Sequence, residues 1–163
     1  MLPAVLLCLV VGITDGDTLR GRCDDQTMTI RLAEIDAPEK GQPFSNRSRQ
    51  SLAALCFRRS AQLRPVSIDR YGRTVAHVDC AGIDAGTAQV KVGMAWVLVR
   101  YAPGGSDLYR VESEARAGHV GLWSDPHALA PWCGESGSVR VPSVAEGFTH
   151  RLPGRLPRGQ RRH

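Results

Sequence analysis

From Asp15 to about Val78 the chain alternates short apolar–polar runs with turn residues. In Thr27–Ala33, Met28, Ile30 and Leu32 fall on one face of an extended segment and Thr29 and Arg31 on the other, the period-two pattern of a half-buried strand. Arg31 is thereby carried opposite the apolar face. Ala37-Pro38 ends this region, because proline lacks the N–H a ladder needs and restrains the residue before it. Val10-Val-Gly-Ile-Thr14 reads as an earlier strand that delivers Asp15. From Asn46 to about Arg59, Leu52, Leu55 and Cys56 recur at helical spacing, with Asn46 placed to cap the helix. Val66–Asp69 and Arg73–Val78 predict a hairpin across Asp69-Arg-Tyr-Gly72, Gly72 supplying the positive φ such a turn needs. Two more helices follow. One runs from Asp84 to Gly93; the other starts near Ser106, turns Leu108, Val111 and Ala115 inward, and shows Glu112 and Arg116 as an exposed i,i+4 pair. Short strands followed by helices predict an α+β domain built on a small barrel.

Composition sharpens the domain picture. The 163 residues suffice for one core. Of the net charge of +5, six arginines against two glutamates beyond Gly134 account for +4. A general polyanion-binding surface on the folded part is therefore not established, and substrate grip has to be local. Gly134–His163 is rich in Gly, Pro, Ser and Arg and is expected to be a disordered basic tail; Gly134 marks the end of a domain spanning residues 10–133. Leu2–Val11 is an apolar run too short to span a bilayer as a helix. Residues 1–9 are expected to be a remnant of a secretion signal, the alternative being an apolar first strand packed in the core. The five cysteines, Cys8, Cys23, Cys56, Cys80 and Cys133, form no C-x-x-C, and no His stands near them at ligand spacing, so zinc and thioredoxin-type chemistry are poor readings. One or two disulfides in a secreted or periplasmic protein fit this usage, with the pairing left open and free thiols as the alternative.

Three stretches carry the chemistry: Asp15-Gly-Asp-Thr18, Arg31-Leu-Ala-Glu-Ile-Asp-Ala-Pro-Glu39 and Asp69-Arg-Tyr-Gly-Arg73. They set the carboxylates Asp17, Asp36 and Glu39 and the guanidinium groups of Arg31 and Arg73 within apolar, strand-like sequence. Charge is costly there without a partner, so these groups are expected to face one another or a shared ligand. Carboxylates that gather a hard cation, beside planar forks that grip phosphate, suit metal-assisted phosphodiester cleavage. A calcium helix-loop-helix loop is excluded, because the twelfth position from Asp15 is Gln26 and no helix follows. A carboxylate-pair glycosidase is disfavoured, since an oxocarbenium-like transition state gains nothing from two arginines. There is no G-x-S-x-G elbow and no P-loop.

In this order, and with Gly93-Met-Ala-Trp96, Glu112–Arg116, Gly121-Leu-Trp123 and Pro131-Trp132 after them, the motifs closely resemble the staphylococcal-nuclease-like (thermonuclease) family from about Val10 to Trp132. The resemblance implies a five-stranded oligonucleotide/oligosaccharide-binding (OB-fold) barrel with three α-helices, acting as a calcium-dependent nuclease on DNA and RNA and leaving 3′-phosphate ends. It implies Ca2+ on Asp17, Asp36 and the Ala37 carbonyl, with Glu39 acting on the attacking water. Arg31 and Arg73 would stabilise the transition state, Tyr71 would help hold a terminal phosphate, and Arg70, where the family commonly has Lys or Arg, would join it in binding substrate. A monomer with no membrane span is expected. Two departures concern substrate fit rather than chemistry: Val99 stands where the founding enzyme has a substrate-contacting tyrosine, with Tyr101 keeping a different aromatic position, and Lys40–Ser45 is shorter than that enzyme's active-site loop. The alternative is a non-catalytic barrel that binds nucleic acid or protein. Trp96, Trp123 and Trp132 read as packing or anchoring residues before base-stacking platforms, and the histidines form no motif.

Overall fold

The period-two pattern of residues 27–33 is realised as a strand with Ile30 and Leu32 buried and Arg31 on the opposite face, in a computed structural model that describes residues 5–128 and 130. The chain order is β1 (Leu6–Ile13), β2 (Thr18–Cys23), β3 (Gln26–Leu32), β4 (Ile35–Asp36), α1 (Ser45–Cys56), β5 (Ser60–Ile68), β6 (Thr74–Cys80), β7 (Ile83–Asp84), α2 (Ala85–Lys91), β8 (Trp96–Val97) and α3 (Leu108–Ala117), then a 3₁₀ turn over Gly121–Ser124.

Antiparallel pairing joins β3 to β2, β2 to β1, β1 to β5 and β5 to β6. A parallel pairing of Ile30, Arg31 and Leu32 with Thr74, Val75 and Ala76 then closes the sheet on itself. The result is the expected five-stranded barrel with three helices. Val10, Leu19, Ile30, Leu32, Leu63 and Val78 fill its interior, and Leu52 of α1 and Val90 of α2 join the same core. Each such side chain contributes roughly 1.5–3 kcal/mol on burial.

Residues 6–9 form the first half of β1, with Cys8 in the core and Leu6 packed against it. Cys8 stands opposite Cys23 in the β1–β2 ladder and is bonded to it. Cys56, the last residue of α1, is bonded to Cys80 at the end of β6. A crosslink of this kind typically stabilises by about 2–4 kcal/mol. Cys133, Trp132, His150, His163 and the basic tail lie outside the described residues.

The hairpin turn forms as expected: Gly72 has φ 77°, and Asp69 Oδ1 accepts from the N–H groups of Tyr71 and Arg73. Asp84 caps α2 by accepting from the Thr87 N–H at 2.8 Å. Two local expectations are corrected. Asn46 does not cap α1; Phe44, at φ 66°, holds that position without a side-chain bond, and the helix stops at Cys56 because Phe57 is extended. Arg58 and Arg59 instead exchange backbone hydrogen bonds with Val10. Leu108, Val111 and Ala115 do face inward from α3, but Glu112 is not an exposed partner of Arg116. Its carboxylate also accepts from the Val97 N–H at 2.9 Å and is largely covered.

Candidate active site

The turn between β1 and β2 must reverse the chain in four residues while directing one carboxylate inward. Thr14 and Asp15 donate their N–H groups to the Thr18 carbonyl, and Asp15 Oδ1 accepts from the Asp17 N–H at 3.0 Å. The Asp17 carbonyl accepts from the Leu32 N–H at 2.8 Å, which binds the turn to β3. Asp17 is only 3% exposed. A carboxylate so deep needs donors, and it has three: Thr18 Oγ1 at 2.8 Å, Arg31 Nη1 at 3.0 Å and the Ala37 N–H at 2.9 Å.

Arg31 bridges two carboxylates. Its Nη1 is bound to Asp17 Oδ1 and its Nη2 to Asp36 Oδ1 at 2.5 Å, with the Arg31 side chain 18% exposed. Burial works against the guanidinium charge, but Asp17 first, and Asp36 with it, outweigh that effect and raise the Arg31 pKa further above its ordinary value. Burial likewise pushes Asp17 up, against the pull of Arg31, the Ala37 N–H and the Thr18 hydroxyl, while the Asp36 charge adds to the rise. Asp15 is pushed up to about 6, by burial and then by the neighbouring Asp17. One guanidinium is thus shared by two carboxylates, with Asp15 near enough to add to the negative field around it.

Asp36 is held from the other side. It pairs with Trp96 in the two-strand ladder of β4 and β8, while Ile35 pairs with Val97. The Val97 N–H is the one that Glu112 accepts, so α3 braces the strand that aligns Asp36. Arg116, paired with Glu112 at 3.0 Å, lies over the Trp123 ring, which meets Trp96 edge-on at 6.3 Å. These two tryptophans are therefore packing residues behind the site.

The remaining candidates are placed differently. Glu39 lies three residues beyond Asp36 and is exposed; its backbone N–H donates to Gln42 Oε1 at 2.7 Å. For Ala37, the N–H makes the contact to Asp17, whereas the carbonyl was the expected ligand atom. Arg73 belongs to a second cluster on the turn between β5 and β6. Its Nε is bound to Asp69 Oδ2 at 2.7 Å, and its guanidinium and that of Arg70 both lie over the exposed Tyr71 ring, at 5.3 and 4.9 Å. The parallel register of β3 and β6 sets Arg31 opposite Val75, two residues past Arg73, so barrel closure brings the two motifs to adjacent strands. Tyr101 is exposed with Arg100 over its ring, and Val99 is exposed beside it.

Among the described residues, no three or more His, Cys, Asp or Glu side chains form a ready-made metal cage. The donor set nevertheless fits a hard cation. It is made of carboxylate oxygens that share a single guanidinium, and Arg31 engages only one oxygen of Asp36. Few protein ligands imply a shell completed by water and phosphate, a habit of calcium sites. Sequence reasoning missed Glu112 as a brace, and it missed Gln89 and Ser48, both buried behind the turn. No periodicity marks a polar residue whose partners are distant backbone carbonyls.

Residues 29–125 match the family model described as staphylococcal nuclease homologue. The chain is 44% identical over 135 residues to a micrococcal nuclease of Shigella flexneri, covering 76% of each. It is 38% identical to an uncharacterized endonuclease of Haemophilus influenzae, over 76% of this chain and 70% of that one. A staphylococcal-like nuclease of Arabidopsis thaliana matches at 33% identity over 63% of this chain and 32% of its own.

Proposed function

The chain belongs to the staphylococcal nuclease homologue family and is an endonuclease, and on that footing we propose calcium-dependent hydrolysis of both DNA and RNA, with little base preference, at the Asp17–Arg31–Asp36 cluster. One observation carries this reading. Arg31 bridges Asp17 and Asp36, so two carboxylates share one guanidinium, an arrangement that suits a hard cation and a phosphate gripped beside it.

Asp17, Asp36 and the Ala37 carbonyl would hold the ion. When bound, Ca2+ supplies a Lewis acid that polarises the scissile phosphate. Glu39 orients the attacking water or takes its proton; its exposed carboxylate is accessible to both water and substrate. The water oxygen bonds to phosphorus, the bond to the 5′ oxygen breaks, and that oxygen leaves with a proton. The phosphate stays on the 3′ side. Charge building on the equatorial oxygens is met by Arg31 and Arg73, whose planar forks donate two parallel N–H bonds where a lysine offers a point charge. The guanidinium groups of Arg70 and Arg73, both over the Tyr71 ring, would form with it a platform for a terminal phosphate. The enzyme acts as a monomer on this reading.

The end chemistry tests the assignment. Digestion of a DNA and an RNA oligonucleotide is expected to leave 5′-hydroxyl ends that a polynucleotide kinase labels directly, and 3′ ends that a polymerase extends only after phosphatase treatment. Products with 5′-phosphate and 3′-hydroxyl ends would contradict it. The two internal disulfides support a secreted or periplasmic location, because cytosolic thiols are kept reduced. A tagged copy recovered from the cytosol with these four cysteines reactive to alkylating agents would overturn that location.

A further inference from the structure

We propose that Gln89 is a positioning residue that sets the affinity of the acidic turn for its divalent cation, an inference that rests on calcium binding by Asp17 and Asp36. Gln89 sits on α2 and is 1% exposed. Its Nε2 donates to the Gly16 carbonyl at 2.7 Å and to the Ser48 carbonyl at 3.0 Å, with Ser48 Oγ at 3.3 Å. A side-chain amide has two N–H bonds, and both are spent on buried backbone carbonyls of separate elements, the β1–β2 turn and α1.

The Gly16–Asp17 peptide is consequently gripped at both ends. Its carbonyl is held by Gln89, and its N–H is held by Asp15 Oδ1 at 3.0 Å. Rotating that peptide plane moves Asp17 relative to Asp36. Gly16 lies so close to α1 that an added Cβ would stand 1.8 Å from Ser48 Oγ and 2.8 Å from the Ala37 Cβ. The turn therefore rests on the helix, and Gln89 pins it there. Ser48 Oγ is engaged elsewhere, donating to the Met94 carbonyl at 2.6 Å, so the hydroxyl serves α1 and the approach to β8 more than the turn. An apolar side chain would fill the Gln89 position without desolvating an amide. What only the amide supplies is a fixed orientation of the Gly16 carbonyl. Placement errors of about 1 Å at a site can cost on the order of 10²-fold in rate.

The test compares Gln89→Met with Ser48→Ala. Calcium binding is measured directly by titration calorimetry without nucleic acid, alongside the melting temperature in chelator and the calcium dependence of DNA cleavage. Loss of one net hydrogen bond to the turn predicts a calcium dissociation constant raised by about tenfold in Gln89→Met, with cleavage recovering as calcium is raised. Ser48→Ala is expected to lower the melting temperature while keeping calcium affinity within about twofold, since the Gln89–Gly16 bond remains. If Gln89→Met does not fold, Gln89→Asn, which withdraws the amide by one methylene, is read the same way. Unchanged calcium affinity in the folded Gln89 variant would overturn the proposal, as would an equal shift in Ser48→Ala at equal loss of melting temperature. Wild-type protein that cleaves DNA but binds no calcium would instead overturn the calcium reading on which the proposal stands.

Discussion

Arg31→Ala is expected to lower the cleavage rate by about 10²–10³, the usual cost of losing one transition-state donor, and to destabilise the fold by about 3 kcal/mol, toward the lower end for breaking a buried charge pair. Both effects come from one geometry. The guanidinium bridges Asp17 and Asp36 at 3.0 and 2.5 Å, and Asp17 is 3% exposed. Without Arg31 the Asp17 charge keeps only the Thr18 hydroxyl and the Ala37 N–H. Arg31→Lys separates the two roles. It restores a positive charge, and with it much of the stability, but not the fork that spans two oxygens. Single-turnover cleavage and urea unfolding of both variants check this; an Arg31→Ala enzyme within threefold of wild type would show that the fork is structural only.

Glu39→Gln is expected to lower the rate by about 10²–10⁴, the range for a positioned acid–base group, without a measurable change in melting temperature. The contrast with Arg31 follows from position. Glu39 is exposed, and the contact that orders this segment runs from its backbone N–H to Gln42 Oε1, so glutamine keeps the packing and loses only the proton acceptor. A rate loss accompanied by unfolding would point to a structural carboxylate instead.

How far such roles could be read from the sequence depended on the range of the interaction. The strand carrying Arg31 was legible because period two is local, and so was the turn at Gly72, set within four residues. Arg31, Asp17 and Asp36 were recognisable as chemistry because charge in apolar sequence demands partners. That Arg31 would be locked between the two carboxylates was not legible, since it requires β2, β3 and β4 to be in register first. The parallel β3–β6 closure, which sets Arg31 beside the strand following Arg73, is likewise non-local. Disulfide pairing depended on a β1–β2 register shifted by an irregularity between Val10 and Gly12. Glu112 resembled an ordinary helix-surface charge because its second partner, the Val97 N–H, lies on another element.

The most direct test is cleavage of a labelled single-stranded DNA by the purified wild-type protein in calcium and in chelator, with Glu39→Gln run alongside. Cleavage in calcium, its loss in chelator and its reduction by orders of magnitude in the variant are the predicted results. Cleavage that continues unchanged in chelator and in Glu39→Gln would contradict the account and place the chemistry at another site.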